Sequence, residues 1–380
     1  MLPNRVTPGF ACTLGAVVCA CGGQILAPSD GGTFGVDAGA ADAGEPPEIG
    51  ADATVGPDAS DAGASLDEGG AAPPASCRTS GAGLTDCGAS RETCCASLKV
   101  TGGTYYRTYT NSGGAPTGEA DPATVSSFRL DKYLVTVGRF RQFVNAWNGG
   151  AGYTPPPGSG KHTHLNGGRG LEVAGGGYEP GWVPSDDASI AATDASLLCS
   201  GGYSTWTSTA GGQETLPMNC VSWAAAYAFC IWDGGFLPSE AEGNYAAAGG
   251  AEQRQYPWGT AAPGSGNRYA IYSCDFPGGT GSCDGVTNIA PVGIATLGAG
   301  RWGQLDLAGD IWEWNLDAYA DPYVAPCADC ANLTAGQYRR VIRGGDFASD
   351  MSILLASSRY PGLHTTGNDS TVGFRCARAP

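Results

Sequence analysis

Basic residues are scarce in this 380-residue sequence, and histidine is scarcer still. Lysine and arginine together number 20 against 36 aspartates and glutamates, and there are only three histidines. Ten of the acidic residues lie in residues 22–76, so residues 77–380 are only mildly acidic. Because a mildly acidic domain does not attract a phosphate backbone, the composition argues against nucleic acid as a partner.

The apolar run at the N-terminus is too short to span a membrane. Residues 1–21 contain one basic residue, Arg5, and then a short apolar stretch that prolines and glycines interrupt, a pattern typical of an export signal. At its end, Val18-Cys19-Ala20-Cys21 resembles a bacterial lipobox, which predicts lipidation of Cys21; an ordinary cleaved secretory signal is the alternative. Gly22 stands where an aspartate would favour inner-membrane retention, so we expect an exported, outer-membrane lipoprotein of a bacterial envelope.

Residues 22–76 lack lysine and arginine and contain one aromatic residue, Phe34. They consist almost wholly of alanine, glycine, aspartate, proline and serine. Such a segment cannot bury enough apolar surface to offset the entropy lost on ordering. We therefore expect a disordered tether, with an r.m.s. end-to-end length of roughly 40 Å, between the membrane anchor and a folded domain.

The cysteines predict disulfides. Three of the fifteen lie in residues 1–21, and the other twelve lie in residues 77–380, an even number in a chain expected to be exported. Cys274 with Cys283 is predicted to close a local loop, and Cys327-Ala-Asp-Cys330 is either another such bond or a redox pair. Zinc is the less favoured interpretation, because no second ligand pair has suitable spacing. We divide the folded part into a cysteine-rich segment, 77–101, and a domain, 102–380.

The secondary-structure signals predict an irregular α+β domain. Alternating aromatic residues favour strands at 104–109 and 128–135, and shorter strands are predicted at 340–343 and 372–378. Three helices are predicted, one after Thr136, one after Ser222, and one after Ser239 with a capping box. With 62 glycines in the chain, loops should dominate.

Two histidines lie in the glycine-rich stretch 149–215. His162 and His164 are two residues apart, so in an extended segment they would face the same side and could share a metal ion. The alternative is a surface position or structural hydrogen bonding. The stretch itself is longer than most loops in compact domains, which favours a functional role.

The segment Trp302 to Asn315 carries the most specific arrangement of oxygen ligands. Asp306, Gly309, Ile311 and Glu313 have the spacing at which two carboxylates can bracket two backbone carbonyls, an oxygen-only set that suits calcium. The alternative is a buried aromatic strand with solvated acids.

Six motifs in order resemble the formylglycine-generating enzyme, or sulfatase-modifying factor, family. They are LDKYLVTVGRFRQFV, PMNCVSWAAAYAFC, LPSEAEGNYAAAGG with YPWG, GQLDLAGDIWEWN, RRVIRGGDF and VGFRCAR. The resemblance implies an irregular, loop-rich variant of the C-type lectin fold with few helices, short strands and bound calcium. It places Asp306, Gly309, Ile311 and Glu313 at one calcium site and matches Asn267 to a ligand of another.

The resemblance fails at the catalytic cysteines. Enzymes of the family oxidise a substrate cysteine to formylglycine with oxygen and with copper held by two cysteines, which lie between the RGG and GFR motifs. Between Arg343 and Gly373 this sequence has no cysteine, so neither copper nor formylglycine formation is expected.

The predicted function is therefore a calcium-stabilised binding or interaction module for a protein, peptide or glycan. Asp346, Arg359 and Tyr360 are the candidates for its binding groove, between the segment 343–360 and the glycine-rich stretch. The alternative is an oxidoreductase, of the formylglycine-generating or another metal-dependent type, with a site rebuilt from His162, His164 and a carboxylate.

Overall fold

The computed structural model describes residues 73–199, 202–279, 281–334 and 339–380. The predicted export signal, the lipobox residue Cys21 and nearly all of the predicted tether lie outside the described residues. Within the described ranges, no helix is both long and apolar enough to cross a membrane.

The described residues form four α-helices, several short 3-10 helices and twelve short strands. The helices are α1 (Val137–Trp147), α2 (Asp194–Leu197), α3 (Trp223–Trp232) and α4 (Glu240–Ala248). The strands are β1 (Ser97–Val100), β2 (Gly103–Thr110), β3 (Thr117–Val125), β4 (Phe128–Asp131), β5 (Glu172–Val173), β6 (Trp312–Ala318), β7 (Cys327–Ala328), β8 (Cys330–Ala331), β9 (Arg339–Arg343), β10 (Tyr360–His364), β11 (Val372–Gly373) and β12 (Ala377–Arg378). Few helices and short strands confirm the irregular α+β class.

The strands form four small sheets. Their orders are β10-β9-β6-β11, β1-β4-β12, β2-β3-β7 and β5-β8. In the largest sheet β6 is antiparallel to β9 and parallel to β11. The predicted strand at 372–378 is in fact two strands in two sheets, because the chain between them leaves the ladder to bury Arg375, which is 1% exposed.

The three predicted helix caps are confirmed. The Thr136 and Ser222 hydroxyls accept backbone N–H groups at the starts of α1 and α3, and Ser239 and Glu242 form the reciprocal capping box of α4. In α4, Gly243 faces Asn315, and a Cβ at this position would lie 2.6 Å from the asparagine Oδ1. Close packing of the helix against β6 therefore explains a glycine that helix propensity disfavours.

The main core lies between α1, α3 and the strands beside them. Phe140 and Phe374 both pack on Phe229, with ring centroids 5.7 and 5.4 Å apart. The glycine-rich stretch 149–215 contributes to the same cluster. Its buried apolar side chains there are Leu165, Leu171, Trp182, Ile190, Ala192, Leu197 and Trp206. Its length is therefore partly explained by packing.

The twelve cysteines pair completely. The predicted loop-closing bond Cys274–Cys283 is confirmed, and Cys327–Cys330 is a disulfide. The other bonds are Cys77–Cys95, Cys87–Cys94, Cys199–Cys220 and Cys230–Cys376. Both bonds of the cysteine-rich segment 77–101 close within it, while its strand β1 pairs with β4 and so joins it to the rest of the fold.

Candidate functional site

The segment predicted to bind calcium is a loop that leads into β6. Asp306 and Asp310 are both buried. The Asp306 Oδ2 accepts the Gly293 N–H at 2.7 Å, and the Asp310 Oδ1 accepts the Ala290 N–H at 2.9 Å, but the Asp310 Oδ2 has no partner among the described residues. Burial raises the pKa of Asp306 to about 6, although Arg375 opposes this shift. Burial, with the nearby Asp306 charge, also raises the pKa of Asp310 well above its usual range.

Glu313, the other predicted carboxylate ligand, has a different environment. Its two oxygens accept the Nε and Nη2 of Arg375 at 2.6 and 2.8 Å. The same guanidinium donates to the carbonyls of Leu305 and Asp306. The buried arginine therefore neutralises Glu313 and ties β6 to the loop before it.

The oxygen donors of this loop fit calcium. The raised pKa values of these two buried carboxyl groups show that the protein alone stabilises their ionised forms poorly, and a bound divalent cation would stabilise those forms. Asp306 would bind through its carboxylate, Gly309 and Ile311 through their carbonyls, and Glu313 would share its oxygens with Arg375. Asp310 was not among the predicted ligands, although its acidic side chain directly follows Gly309 in the sequence.

Asn267, the residue matched to a second calcium site, lies in a separate loop. Its side-chain N–H donates to the Asp275 carbonyl at 3.3 Å, and its buried Oδ1 has no hydrogen-bond partner within the described ranges. Among the described residues, no three histidine, cysteine, aspartate or glutamate side chains are grouped to hold a metal ion. Since the predicted calcium set relies on backbone carbonyls, calcium binding stays a prediction at both places.

His162 has the structural hydrogen-bonding role that was the alternative to metal binding. Its ring is fully buried, with Nδ1 3.1 Å from Glu179 and Nε2 3.0 Å from Glu242. His164 lies beside it, with ring centroids 6.2 Å apart, and both rings pack on Phe236. Both ring nitrogens of His164 are buried, and no group in the described part of the chain forms a hydrogen bond with them. The carboxylates thus engage both nitrogens of His162, and a metal ion shared with His164 stays a prediction.

The stability of the protein should fall at alkaline pH, because Glu179 and Glu242 stabilise the charged form of His162. Burial disfavours the imidazolium, but Glu242 and Glu179 outweigh burial and raise the pKa from 6.5 to about 10. Since the folded pKa is raised, this stabilisation is complete below about pH 6.5 and is lost as the pH rises towards 10. We expect urea unfolding to show a loss on the order of a few kcal/mol over this range, which His162→Gln abolishes.

The matched control is His164→Gln, which removes a histidine from the same site. Burial lowers the pKa of His164, so this ring gives no alkaline loss of stability. The control should therefore keep the fall seen in the parent. An equal fall in the parent and in His162→Gln would show that His162 does not carry a buried charge.

A cavity of about 230 Å³, partly open to solvent, lies between the glycine-rich stretch and the end of β6. Residues 172–176 form one wall, and the segment 317–332 forms another, with Cys330 in it. Arg107 and Arg359 also line the cavity. A more open depression of about 560 Å³ adjoins it and shares both arginines.

A network of charges and aromatic rings positions Arg359. Its Nε and Nη2 donate to Glu240 at 2.6 and 2.9 Å, and Glu240 also accepts Nη2 of Arg343 at 3.0 Å. The Arg359 guanidinium lies between the rings of Tyr319 and Tyr323, 4.5 and 3.9 Å from their centroids. This stacking holds the arginine flat at the cavity wall.

The three predicted groove residues lie in different surroundings. Of these, only Arg359 lines the cavity. Asp346 is buried in a turn, where its Oδ1 accepts the Ser349 hydroxyl at 2.6 Å, and Tyr360 packs on Trp312 with 42% of its surface exposed. Asp346 and Tyr360 line neither of these two cavities, so a groove formed by all three residues stays a prediction.

The residues that line the cavity come from distant parts of the chain. The sequence did not predict that the following residues line one cavity: Arg107, Glu240, Asp317, Tyr323 and Cys330. No local pattern marks them as one site, since β2, α4, β6 and the loop after it meet only in the folded protein. Asp317 is buried beside Glu240, and burial with that charge raises its pKa to about 7.

The segment between Arg343 and Gly373, where the resemblance places the copper-binding cysteines, contains no cysteine. Ser349 is engaged by Asp346, Leu354 is buried in an apolar cluster, and Met351 is exposed. Every cysteine in the described part of the chain is in a disulfide. None of them offers a free thiolate.

Comparison with known proteins agrees with the motifs. A family model described as a sulfatase-modifying factor enzyme 1-like domain matches residues 85–380. The mouse protein named inactive C-alpha-formylglycine-generating enzyme 2 is 34% identical over 169 residues, which cover 43% of this chain and 49% of that protein. The formylglycine-generating enzyme of Streptomyces coelicolor is 36% identical over 176 residues, which cover 44% and 54%. The chain thus spans about half the length of these curated relatives.

Among solved structures, PvdO from Pseudomonas aeruginosa is similar to this chain. At 19% sequence identity, the alignment covers 82% of this chain and 100% of that chain, with a TM-score of 0.48.

Proposed function

Since the chain belongs to the sulfatase-modifying factor family and has its irregular, C-type-lectin-like α+β fold, we propose that it is an exported binding module that forms no formylglycine. The observation that carries the proposal is the absence of any cysteine between Arg343 and Gly373, together with six disulfides that occupy all the cysteines of residues 77–380. Two thiolates make the soft site that Cu(I) requires, and serine, leucine or methionine side chains do not replace them.

The cavity beside Arg359 is the proposed ligand site. It combines arginine side chains, carboxylates and a tyrosine ring within about 230 Å³, a mixture suited to a short peptide or glycan segment. One of the similar relatives is itself named inactive, which supports a non-catalytic role. In this proposal calcium at Asp306 stabilises the fold, and Cys21 carries the lipid that anchors the tethered domain.

The oxidoreductase alternative gains no support from the histidines. The nitrogens of His162 are engaged by Glu179 and Glu242. We therefore keep the binding module as the proposal.

The first test is catalytic. The full chain, with oxygen and copper supplied, is incubated with a cysteine-containing sulfatase peptide, and the peptide is analysed by mass spectrometry beside the Streptomyces coelicolor enzyme. We expect no formylglycine from this chain, and metal analysis of the same sample should find calcium without copper. Formylglycine above the level of a protein-free reaction would contradict the proposal.

The second measurement tests the cavity in the same proposal. Peptide and glycan arrays are screened with the parent and with Ala174→Trp, which puts an indole into the cavity without removing a charge. Ala151→Trp adds the same ring at an exposed position and is the control. Binding should be lost in the first variant only. Equal binding by all three proteins would move the ligand site elsewhere.

A further inference from the structure

The Cys327–Cys330 disulfide lies at the wall of the cavity and is not explained by the binding function. Only two residues separate its cysteines. Cys330 lines the cavity and is half-buried, whereas Cys327 is 5% exposed. One sulfur thus belongs to a residue that a ligand can reach, and the other to a protected residue. This asymmetry is typical of exchangeable pairs, in which one sulfur is attacked and the other leaves.

The surrounding structure holds both cysteines without the bond. Cys327 begins β7, which pairs with β3, and Cys330 begins β8, which pairs with β5. The Asp329 carboxylate between them accepts the N–H and the hydroxyl of Ser126 at 2.6 and 2.7 Å. A bond that closes so short a loop restricts the unfolded chain little. Because the strands position the sulfurs, reduction would leave two thiols facing each other.

The charges around the cavity suit a thiolate. Arg107 and Arg359 line it, and cations favour the ionised thiol. Two glutamates act in the opposite direction and disfavour the thiolate. One is Glu172, the strand partner of Cys330. The other is Glu240, whose charge is paired with Arg359 and Arg343.

Asp317 also lines the cavity, but backbone amides occupy its carboxylate. Its Oδ1 accepts the Asn332 N–H and its Oδ2 accepts the Glu240 N–H, both at 2.7 Å. The proton that a leaving thiolate takes therefore comes from the entering thiol or from solvent.

We propose that the Cys327–Cys330 disulfide exchanges with thiol ligands that enter the cavity. The ligand thiolate attacks the Cys330 Sγ, the bond to the Cys327 Sγ breaks, and Cys327 leaves as a thiolate that takes a proton. A second thiol of the ligand then attacks the ligand sulfur of the mixed disulfide and releases Cys330. The ligand departs as a disulfide, and two electrons remain in the cysteine pair. A low-molecular-weight disulfide such as oxidised glutathione reverses these steps and restores the bond.

This inference deepens the proposed function, and it rests on that function only in taking the cavity as a place that ligands enter. The test incubates the folded full chain with reduced glutathione, quenches with acid, alkylates free thiols and maps them by mass spectrometry. The matched control is Cys274–Cys283, another short-range bond, in which Cys283 is exposed. We expect Cys327 and Cys330 to be alkylated about tenfold faster than the control pair. Equal rates, or faster reduction of the control, would overturn the proposal.

Single variants test which sulfur is attacked. In Cys327→Ser the free Cys330 thiol should form a mixed disulfide with oxidised glutathione about tenfold faster than the free Cys327 thiol does in Cys330→Ser. The reverse order would contradict the assigned roles. If the protein binds no peptide or glycan but exchanges at Cys330, only the binding proposal is refuted. If it binds a peptide or glycan but Cys327–Cys330 exchanges no faster than Cys274–Cys283, only this inference is refuted.

Discussion

Replacing Arg139 by methionine is expected to lower the free energy of unfolding by about 3–5 kcal/mol. Arg139 is completely buried in α1. Its guanidinium donates to Asp131 at 2.9 Å, to Asp233 at 2.6 Å and to the Ser76 hydroxyl at 3.0 Å. Methionine fills similar space but leaves two buried carboxylates with less compensation, because Arg378 is then their remaining cation.

The control for Arg139 is Arg169→Met, which removes the same charge at an exposed position. Arg169 stacks on Tyr178 and donates to a nearby carbonyl, so its loss should cost about 0.5 kcal/mol or less. Both variants are measured by urea unfolding. If Arg139→Met does not fold, the double variant with Asp131→Asn should recover soluble protein, because it removes one uncompensated carboxylate. A single variant as stable as the control would refute the role of this cluster.

Removing the Cys230–Cys376 disulfide is expected to lower the free energy of unfolding by about 4–5 kcal/mol. The bond joins α3 to the segment before β12 across a sequence separation of 146 residues, and both cysteines are fully buried. The double variant Cys230→Ala, Cys376→Ala frees a long loop in the unfolded chain, which gains entropy. It also removes packing beside Phe374 and Phe229.

The matched control is the double alanine variant of Cys274 and Cys283, whose separation is nine residues. From loop length alone, the loss in free energy of unfolding should be about 2 kcal/mol smaller for this variant than for the Cys230, Cys376 variant. Both are compared with the parent in urea without reductant. Equal losses for the two bonds would show that loop length does not govern their effect.

The helices were predictable because their signals are local. At Ser239 the hydroxyl and Glu242 three residues on satisfy two backbone amides without help from the rest of the fold. Thr136 and Ser222 cap α1 and α3 in the same local way. Strand β9 was also close to the prediction, since alternation over a few residues decides which side chains face the core.

Long-range pairs were not predictable in the same way. A strand at 372–378 would place Phe374 and Arg375 on opposite faces, and the structure buries both: Arg375 lies against Glu313 from β6. The two-residue periodicity of a strand distinguishes its two faces. It does not show that both faces are buried when a segment distant in the sequence packs on the second face.

The candidate site shows the same division. Asp306 and Glu313 share one motif, so their closeness was expected, whereas Arg375, which neutralises Glu313, arrives from another segment. His162 and His164 are close in the sequence and in the structure, but Glu179 and Glu242, from distant segments, set the hydrogen bonds of His162. Asp346 and Arg359 belong to one segment, yet a turn separates their side chains.

The sequence by itself determined the family, the α+β class, the helix starts and the absence of a cysteine pair for copper, because composition, caps and ordered motifs are properties of the chain alone. The tertiary structure decided which charges are paired, which cysteines are joined, and that Arg107, Glu240, Asp317, Cys330 and Arg359 surround one cavity. Those outcomes depend on distances between segments as much as 252 residues apart, from Arg107 to Arg359, which only packing sets.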